Sequence, residues 1–249
     1  MPANHTVKTR SPTWRSRASR LLNRAAKHAI VASPIGLPRL IGQLHQLFEL
    51  RRFVRDSGLD QLPYFPAREG LYEFLNATLL PQQPIDYLEF GVFEGASIKH
   101  WVALNQHPSS RFFGFDTFEG LPEPWTFATG TLEAGHFSTA GAFPDIPDQR
   151  VQFVKGLFQD TLGAFIRAFE PNGRMVVHCD ADLYTSTLYV LASMHEFLAP
   201  GAVVIFDEFG SVNHEFRAFM DYAASFRQKF SPLAHAGRFY EQVAFVIDR

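Results

Sequence analysis

MVVHCDADLY, residues 175–184, sets an apolar run suited to a sheet centre, Met175, Val176 and Val177, directly against two carboxylates, Asp180 and Asp182. An ionised carboxylate buried without a partner costs several kcal/mol or stays protonated. The pair therefore belongs at an open strand end, with a task there. The same grammar recurs along the chain. DYLEFGV (86–92), RFFGFDTF (111–118) and AVVIFDEF (202–209) each carry an apolar run towards acid: Glu89, Asp116, and Asp207 with Glu208. With VQFVKGL (151–157), RMVVHCDADL (174–183) and EQVAFVID (241–248) they make six predicted strands.

Between the strands lie helical patterns at 95–106, 160–170, 184–198 and 213–229, each long enough for a crossover. Strands alternating with such helices predict right-handed βαβ units, an α/β class and a doubly wound, mostly parallel sheet. Two short apolar segments near the end predict a C-terminal antiparallel hairpin. Upstream, Leu40, Ile41, Leu44, Leu47, Phe48 and Leu50, then Leu71, Tyr72, Phe74, Leu75, Leu79 and Leu80, repeat at helical spacing, with PYFPAREG as a loop between them. The expected organisation is a basic tail (1–35), a helical cap (36–84) and the α/β domain (85–249).

Charge sharpens that division. Residues 1–48 hold eight Lys or Arg and no acid, which leaves 15 basic against 25 acidic residues over 49–249, a net of −10. A body this acidic is a poor partner for nucleic acid. The tail TWRSRASRLLNRAAKHAIVAS (13–33) reads as a solvated basic segment, or as a presequence or interfacial helix able to touch a membrane surface weakly. No apolar run approaches the roughly 18 residues of a spanning helix, and no secretory signal is expected. The single cysteine, Cys179, excludes a disulfide framework and a cysteine-based zinc site, and points to a reducing, cytoplasmic setting.

In doubly wound sheets ligands bind beyond the carboxyl ends of the strands, where strand order reverses. Helix N-capping is the plain alternative for each strand-end acid, but carboxylates ending four successive central strands exceed what capping needs. LEFGVFEGAS (88–97) offers Gly91 for a tight turn and Gly95 for a close helix start, with Phe93 where a dinucleotide fingerprint has its middle glycine. Asp116, 25 residues after Gly91, stands where an acid accepts ribose hydroxyls. Phe93 and Glu94 would crowd and repel a pyrophosphate, so a cationic sulfonium cofactor fits better than NAD.

YLEFGVFEGAS, FGFDTFEGLPEPW, FVKGLFQDTL, DADLYTST and VIFDEFG, in this order, resemble the macrocin O-methyltransferase family of class I S-adenosylmethionine-dependent methyltransferases over roughly residues 85–249. The resemblance implies a Rossmann-like sheet. It implies S-adenosyl-L-methionine held by Glu89, Gly91, Val92, Phe93, Gly95 and Ser97, by Asp116, Thr117 and Phe118, and by Gly156 and Leu157 near the adenine. It further implies Mg2+-dependent methylation of a sugar hydroxyl, with metal ligands Asp180, Asp207 and Glu208 and Asp182 as general base. Glu208 departs from the aspartate more usual there. Neighbouring parallel strands lie about 4.8 Å apart, so their terminal carboxylates can converge on one hard cation.

A non-sugar small molecule or lipid is the alternative acceptor, and a non-catalytic partner protein or an NAD-dependent oxidoreductase the alternative role. A homo-oligomer is compatible with the sequence. His178 reads as a satisfied core residue and Tyr184 as packing under the metal loop. His214 is a candidate for the acceptor site or for the base, and His136 belongs to a Gly-rich loop that could close over substrate.

Overall fold

The computed structural model describes residues 36–81, 83–127 and 130–248. The chain divides into two compact units, Met1–His45 and Gln46–Arg249. The basic segment 13–33 lies outside the described residues. Helix α1 (Gly36–Ser57) continues into the second unit, which also holds the cap helix α2 (Arg68–Leu79) and the sheet. Among the described residues no helix is long and apolar enough to cross a membrane.

Eight strands form the main sheet: β1 (Tyr64–Phe65), β2 (Ile85–Phe90), β3 (Arg111–Asp116), β6 (Val151–Lys155), β7 (Arg174–Cys179), β8 (Val203–Phe206), β9 (Phe230–Ala236) and β10 (Gln242–Ile247). A separate hairpin pairs β4 (Trp125–Phe127) with β5 (Gly130–Leu132). The main sheet runs β1-β9-β10-β8-β7-β2-β3-β6, parallel except where β10 pairs with β8 and β9. The crossovers are α3 (Ala96–Leu104), α4 (Phe158–Ala168) and α5 (Tyr184–Ser193), and α6 (Glu215–Phe226) leads to the hairpin.

Every residue of β2 is buried, as a central parallel strand covered on both faces must be. Side chains alternate between the faces. Leu88, Phe90, Phe113, Phe115, Val177 and Phe206 enter one core, whereas Tyr87, Phe112, Val176, Val203 and Ile205 enter the other with Tyr72 and Trp101. From β2 the chain winds outward through β3 and β6, then returns to the opposite side of β2 as β7 and β8. The reversal places a crevice at the tips of β2 and β7.

The expected strands all form, but each ends earlier than the apolar runs suggest. β7 stops at Cys179 and β8 at Phe206, so Asp180, Asp182, Asp207 and Glu208 all lie past the tips. Backbone bonds lace the tips together: Gly91 N–H donates to Phe115 O, Asp180 N–H to Phe90 O and Asp207 N–H to Cys179 O, each at 2.9 Å. Two features escape the sequence pattern. The PYFPAREG loop contributes the two-residue strand β1 on the sheet's far edge, and the 119–150 stretch holds the β4–β5 hairpin.

Gly91, at φ +95°, has no room for a side chain, because a Cβ would collide with the Asp180 carbonyl. Gly91→Ala is therefore expected to cost roughly 2–4 kcal/mol in chemical denaturation. Gly58→Ala, at φ +70° with open space around it, should cost only about 1 kcal/mol. Equal losses would contradict this packing of the two strand tips.

Candidate active site

A cavity of about 390 Å³ opens at the switch point, a size suited to a small organic ligand. Gly91, Val92 and Phe93 of the glycine loop line it with Ser97, Asp116, Thr117 and Leu157, and Asp180, Asp182, Asp207 and Glu208 close one end. Four of the residues assigned to the cofactor stand behind the wall. Phe118 is fully buried in the core, Gly95 and Gly156 turn the chain, and Glu89, 1 % exposed, spends its carboxylate on the Tyr87 hydroxyl.

The strand-end carboxylates are not helix caps. Gly95, Leu157, Leu183 and His214 occupy the N-cap positions, none with a side-chain cap bond. Asp116 instead shapes the glycine loop. Its Oδ2 accepts the N–H groups of Val92 at 2.8 Å and Phe93 at 2.9 Å, and its Oδ1 that of Phe118 at 2.7 Å. Phe93 and Asp182 both hold left-handed backbone, at φ 49° and 57°, a strained conformation for a side-chain-bearing residue. Phe93 thus takes the kind of turn that a middle glycine would serve.

The acidic end carries more negative charge than its surroundings offset. Arg68 at the start of α2 is the only cation among the described lining residues, and its Nη1 meets Asp207 Oδ2 at 3.3 Å. Asp207 Oδ1 accepts the Tyr72 hydroxyl at 3.3 Å and faces His178 Nε2 at 3.5 Å. Burial would raise Asp207, but His178, Arg68 and Tyr72 together bring it below the usual carboxylate range. Burial drives Asp180 well up, helped by repulsion from Asp207 and Asp182. Burial, with Asp207 and Asp116, pushes Asp182 up to about 7, and burial, with Asp207 and Asp182, pushes Glu208 up to about 8.

The residues present fit a divalent cation. Asp180, Asp207 and His178 each offer one ligand atom, all within 4.8 Å of one another. Carboxylates whose ionisation is suppressed by burial and mutual repulsion are relieved by a cation more than by anything else. Glu208 lines the same end outside that closest group.

Several functional residues were beyond the sequence pattern. Arg68 and Tyr72 come from the cap helix: nothing in PYFPAREG marks Arg68, and the helical spacing marks Tyr72 only as a packing residue. Glu215, fully buried, holds the Glu208 N–H at 2.8 Å, and burial drives its carboxyl far up. Trp125 and Phe137 line the cavity from the 119–150 stretch, and Phe137 stacks edgewise on Phe93 at 5.4 Å. His214 does not line the cavity: Nδ1 takes the Tyr184 N–H at 3.4 Å and Nε2 meets Thr126 O at 2.8 Å, so the ring ties the hairpin to α5. His136 sits beside Phe137, also off the lining. Tyr184 packs under Arg217 and bonds Asp221 at 2.9 Å rather than lying under the acidic loop.

A sheet of this order, parallel with an antiparallel C-terminal pair, is the class I methyltransferase sheet. Two solved structures share the fold: CalS11, a calicheamicin methyltransferase (TM-score 0.54, 20 % identical, covering 99 % of each chain), and cmcI with Mg and SAM (TM-score 0.51, 16 % identical, 73 % of this chain and 71 % of that one). Among curated proteins, 8-demethyl-8-(2,3-dimethoxy-alpha-L-rhamnosyl)-tetracenomycin-C 4'-O-methyltransferase of Streptomyces olivaceus is 29 % identical over 196 residues, 69 % of this chain and 67 % of that protein. The family model Macrocin-O-methyltransferase (TylF) matches residues 69–236, well over half of the chain. The chain belongs to that family and is an O-methyltransferase.

The charge pattern fixes a pH profile for the metal-free protein. Asp182 and Glu208 keep protons up to about 7 and 8 when folded, against 3.8 and 4.5 ordinarily. His178 rises from 6.5 to about 9, because bonds and charge from Asp207 and Glu89 outweigh its burial. All three contribute stability that is complete at low pH and lost as pH climbs through those folded values. Asp207 acts oppositely, losing its contribution only on strong acidification. In EDTA the melting temperature is expected to fall by roughly 5 °C or more between pH 5.5 and 9. A flat profile would contradict the assignment.

Proposed function

We propose that this enzyme transfers a methyl group from S-adenosylmethionine to a hydroxyl of a sugar or glycosylated small molecule, with Mg2+ held by Asp180 and Asp207. The observation that carries this reading is the juxtaposition of an acidic, cation-deficient cluster with a glycine-loop cavity at the switch point. The tetracenomycin relative, whose substrate carries a rhamnosyl group, supports a glycosylated acceptor, and cmcI with Mg and SAM supports the pairing of metal and cofactor.

S-adenosylmethionine supplies the methyl group, and a divalent cation supplies positive charge that makes an acceptor hydroxyl a stronger acid. The remaining work belongs to the chain. Gly91, Val92, Phe93 and Ser97 receive the cofactor beside Asp116 and Leu157, while Glu89, Gly95, Phe118 and Gly156 hold that wall in place. Asp182 takes the hydroxyl proton as general base. Glu208 adds negative charge at the cation end, within reach of Asp207. Trp125, Phe93 and Phe137 exclude water and present aromatic faces to the acceptor. Positioning of this kind is worth roughly 7–11 kcal/mol in displacement reactions.

Transfer of labelled methyl from S-adenosylmethionine to a glycosylated acceptor is expected to stop in EDTA and return with Mg2+. Asp182→Asn should lower kcat by roughly 10²–10⁴. Turnover that ignores EDTA would remove the metal, and full turnover by the variant would remove the base.

A further inference from the structure

The cation-site reading leaves one group of buried residues without a role. On the cap-helix face of the sheet, Glu89 and His178 are register partners on β2 and β7, and Tyr87 lies two residues before Glu89 on the same face. The Tyr87 hydroxyl is 2.5 Å from Glu89 Oε2 and 2.7 Å from His178 Nδ1. On the other side of the ring, Nε2 lies 3.5 Å from Asp207 Oδ1 and 3.5 Å from the Tyr72 hydroxyl. Tyr72, Tyr87 and His178 are wholly buried and Glu89 nearly so. A continuous polar chain, Glu89–Tyr87–His178–Asp207, therefore crosses the core from the strand that feeds the glycine loop to the acidic end.

A polar chain in this place is costly, since apolar residues of the same volume would fill it more cheaply. It also fixes what His178 can do. The ring offers an atom to the cation-sized group with Asp180 and Asp207, but both its nitrogens face partners inside the chain. Nδ1 is committed to Tyr87, which fixes the ring's rotation, and Nε2 faces the one oxygen of Asp207 that points inward. The outward oxygen, Oδ2, is the one that Arg68 reaches from the cavity side.

Resting on the cation-site reading above, we propose that His178 is a positioning residue and not a metal ligand: oriented by Tyr87 and Glu89, it holds Asp207 Oδ1 so that Oδ2 is presented to the cation. Tyr72 assists from the cap helix. Partners of this type typically affect metal affinity by 10–100-fold.

The test is calorimetric titration of the cofactor-free protein with Mg2+ and, separately, Co2+. Tyr87→Phe, which deletes one hydroxyl, and His178→Gln are each expected to weaken Mg2+ binding by roughly 10–100-fold, and to weaken Co2+ by the same factor. Leu162→Ala, a core truncation on the opposite face, serves as the control for general destabilisation and should leave the Mg2+ Kd within about two-fold. Unchanged Mg2+ affinity in Tyr87→Phe and His178→Gln would overturn the positioning role. A loss of Co2+ much larger than that of Mg2+ in His178→Gln would instead make the imidazole a ligand, since nitrogen donors favour Co2+ over Mg2+. Absence of Mg2+ binding in the unaltered protein would overturn the cation site itself, a failure seen before any variant is compared.

Discussion

Mutual repulsion among part-buried carboxylates at one end of a parallel sheet is the constraint around which this molecule is arranged. Asp180, Asp182, Asp207 and Glu208 meet where β7 and β8 stop, in surroundings that penalise the charges of Asp180, Asp182 and Glu208, whereas His178, Arg68 and Tyr72 bring Asp207 below the usual carboxylate range. The same sheet shows how a carboxylate is buried when only stability is at issue. Asp86, at the opposite end of β2, accepts Arg111 Nε at 2.7 Å and the N–H groups of Asn172 and Gly173 at 2.6 and 2.9 Å. Among the described residues, the carboxylates of Asp180, Asp182 and Glu208 accept no comparable bonds. The fold thus satisfies one buried acid fully and leaves three others at the opposite end of the sheet without such partners.

The rest of the architecture delivers and holds that concentration of charge. Winding outward from β2 in both directions puts the glycine loop and the acidic tips side by side. Gly91 lets the two tips touch, and the backbone bonds between neighbouring tips hold their relative heights. The cap helix then closes the cluster from one face with Arg68 and Tyr72, and the 119–150 segment closes the cavity from the other with Trp125 and Phe137. Of the acidic tips Arg68 meets one oxygen of Asp207, and its Nε also faces Glu69 at 3.9 Å, so it offsets a small part of the charge. The unmet remainder is the physical case for a cation, and the glycine-loop cavity beside it is the case for the methyl donor.

The sheet was legible because its strands are apolar runs broken by acid, and a central parallel strand admits little else. The strand-end acids were legible for the same reason, since Asp180 and Asp182 have no inexpensive place inside a strand. What could not be read depends on contacts far apart in sequence. Tyr72 and His178, 106 residues apart, meet through the packing of α2 on the sheet, and periodicity records only that each is buried. His214, six residues past the acidic pair, looked like a candidate base, yet its two nitrogens are absorbed in pinning the hairpin to α5. The lining by Trp125 and Phe137 comes from a segment with little regular pattern, where sequence signals for packing are weakest. Glu89 shows a subtler limit: its place at the tip of β2 was readable, but not that its carboxylate turns inward to Tyr87.

The central claim is that the acidic tips form one cation site beside the methyl-donor cavity. Crystals grown with S-adenosylhomocysteine and Mn2+ test it most directly, because anomalous scattering locates the ion independently of any assumed ligand. The account predicts a single strong peak between the carboxylates of Asp180 and Asp207, with S-adenosylhomocysteine against Gly91 and Asp116. A peak elsewhere, or density for the cofactor product with no ion at those carboxylates, would contradict it.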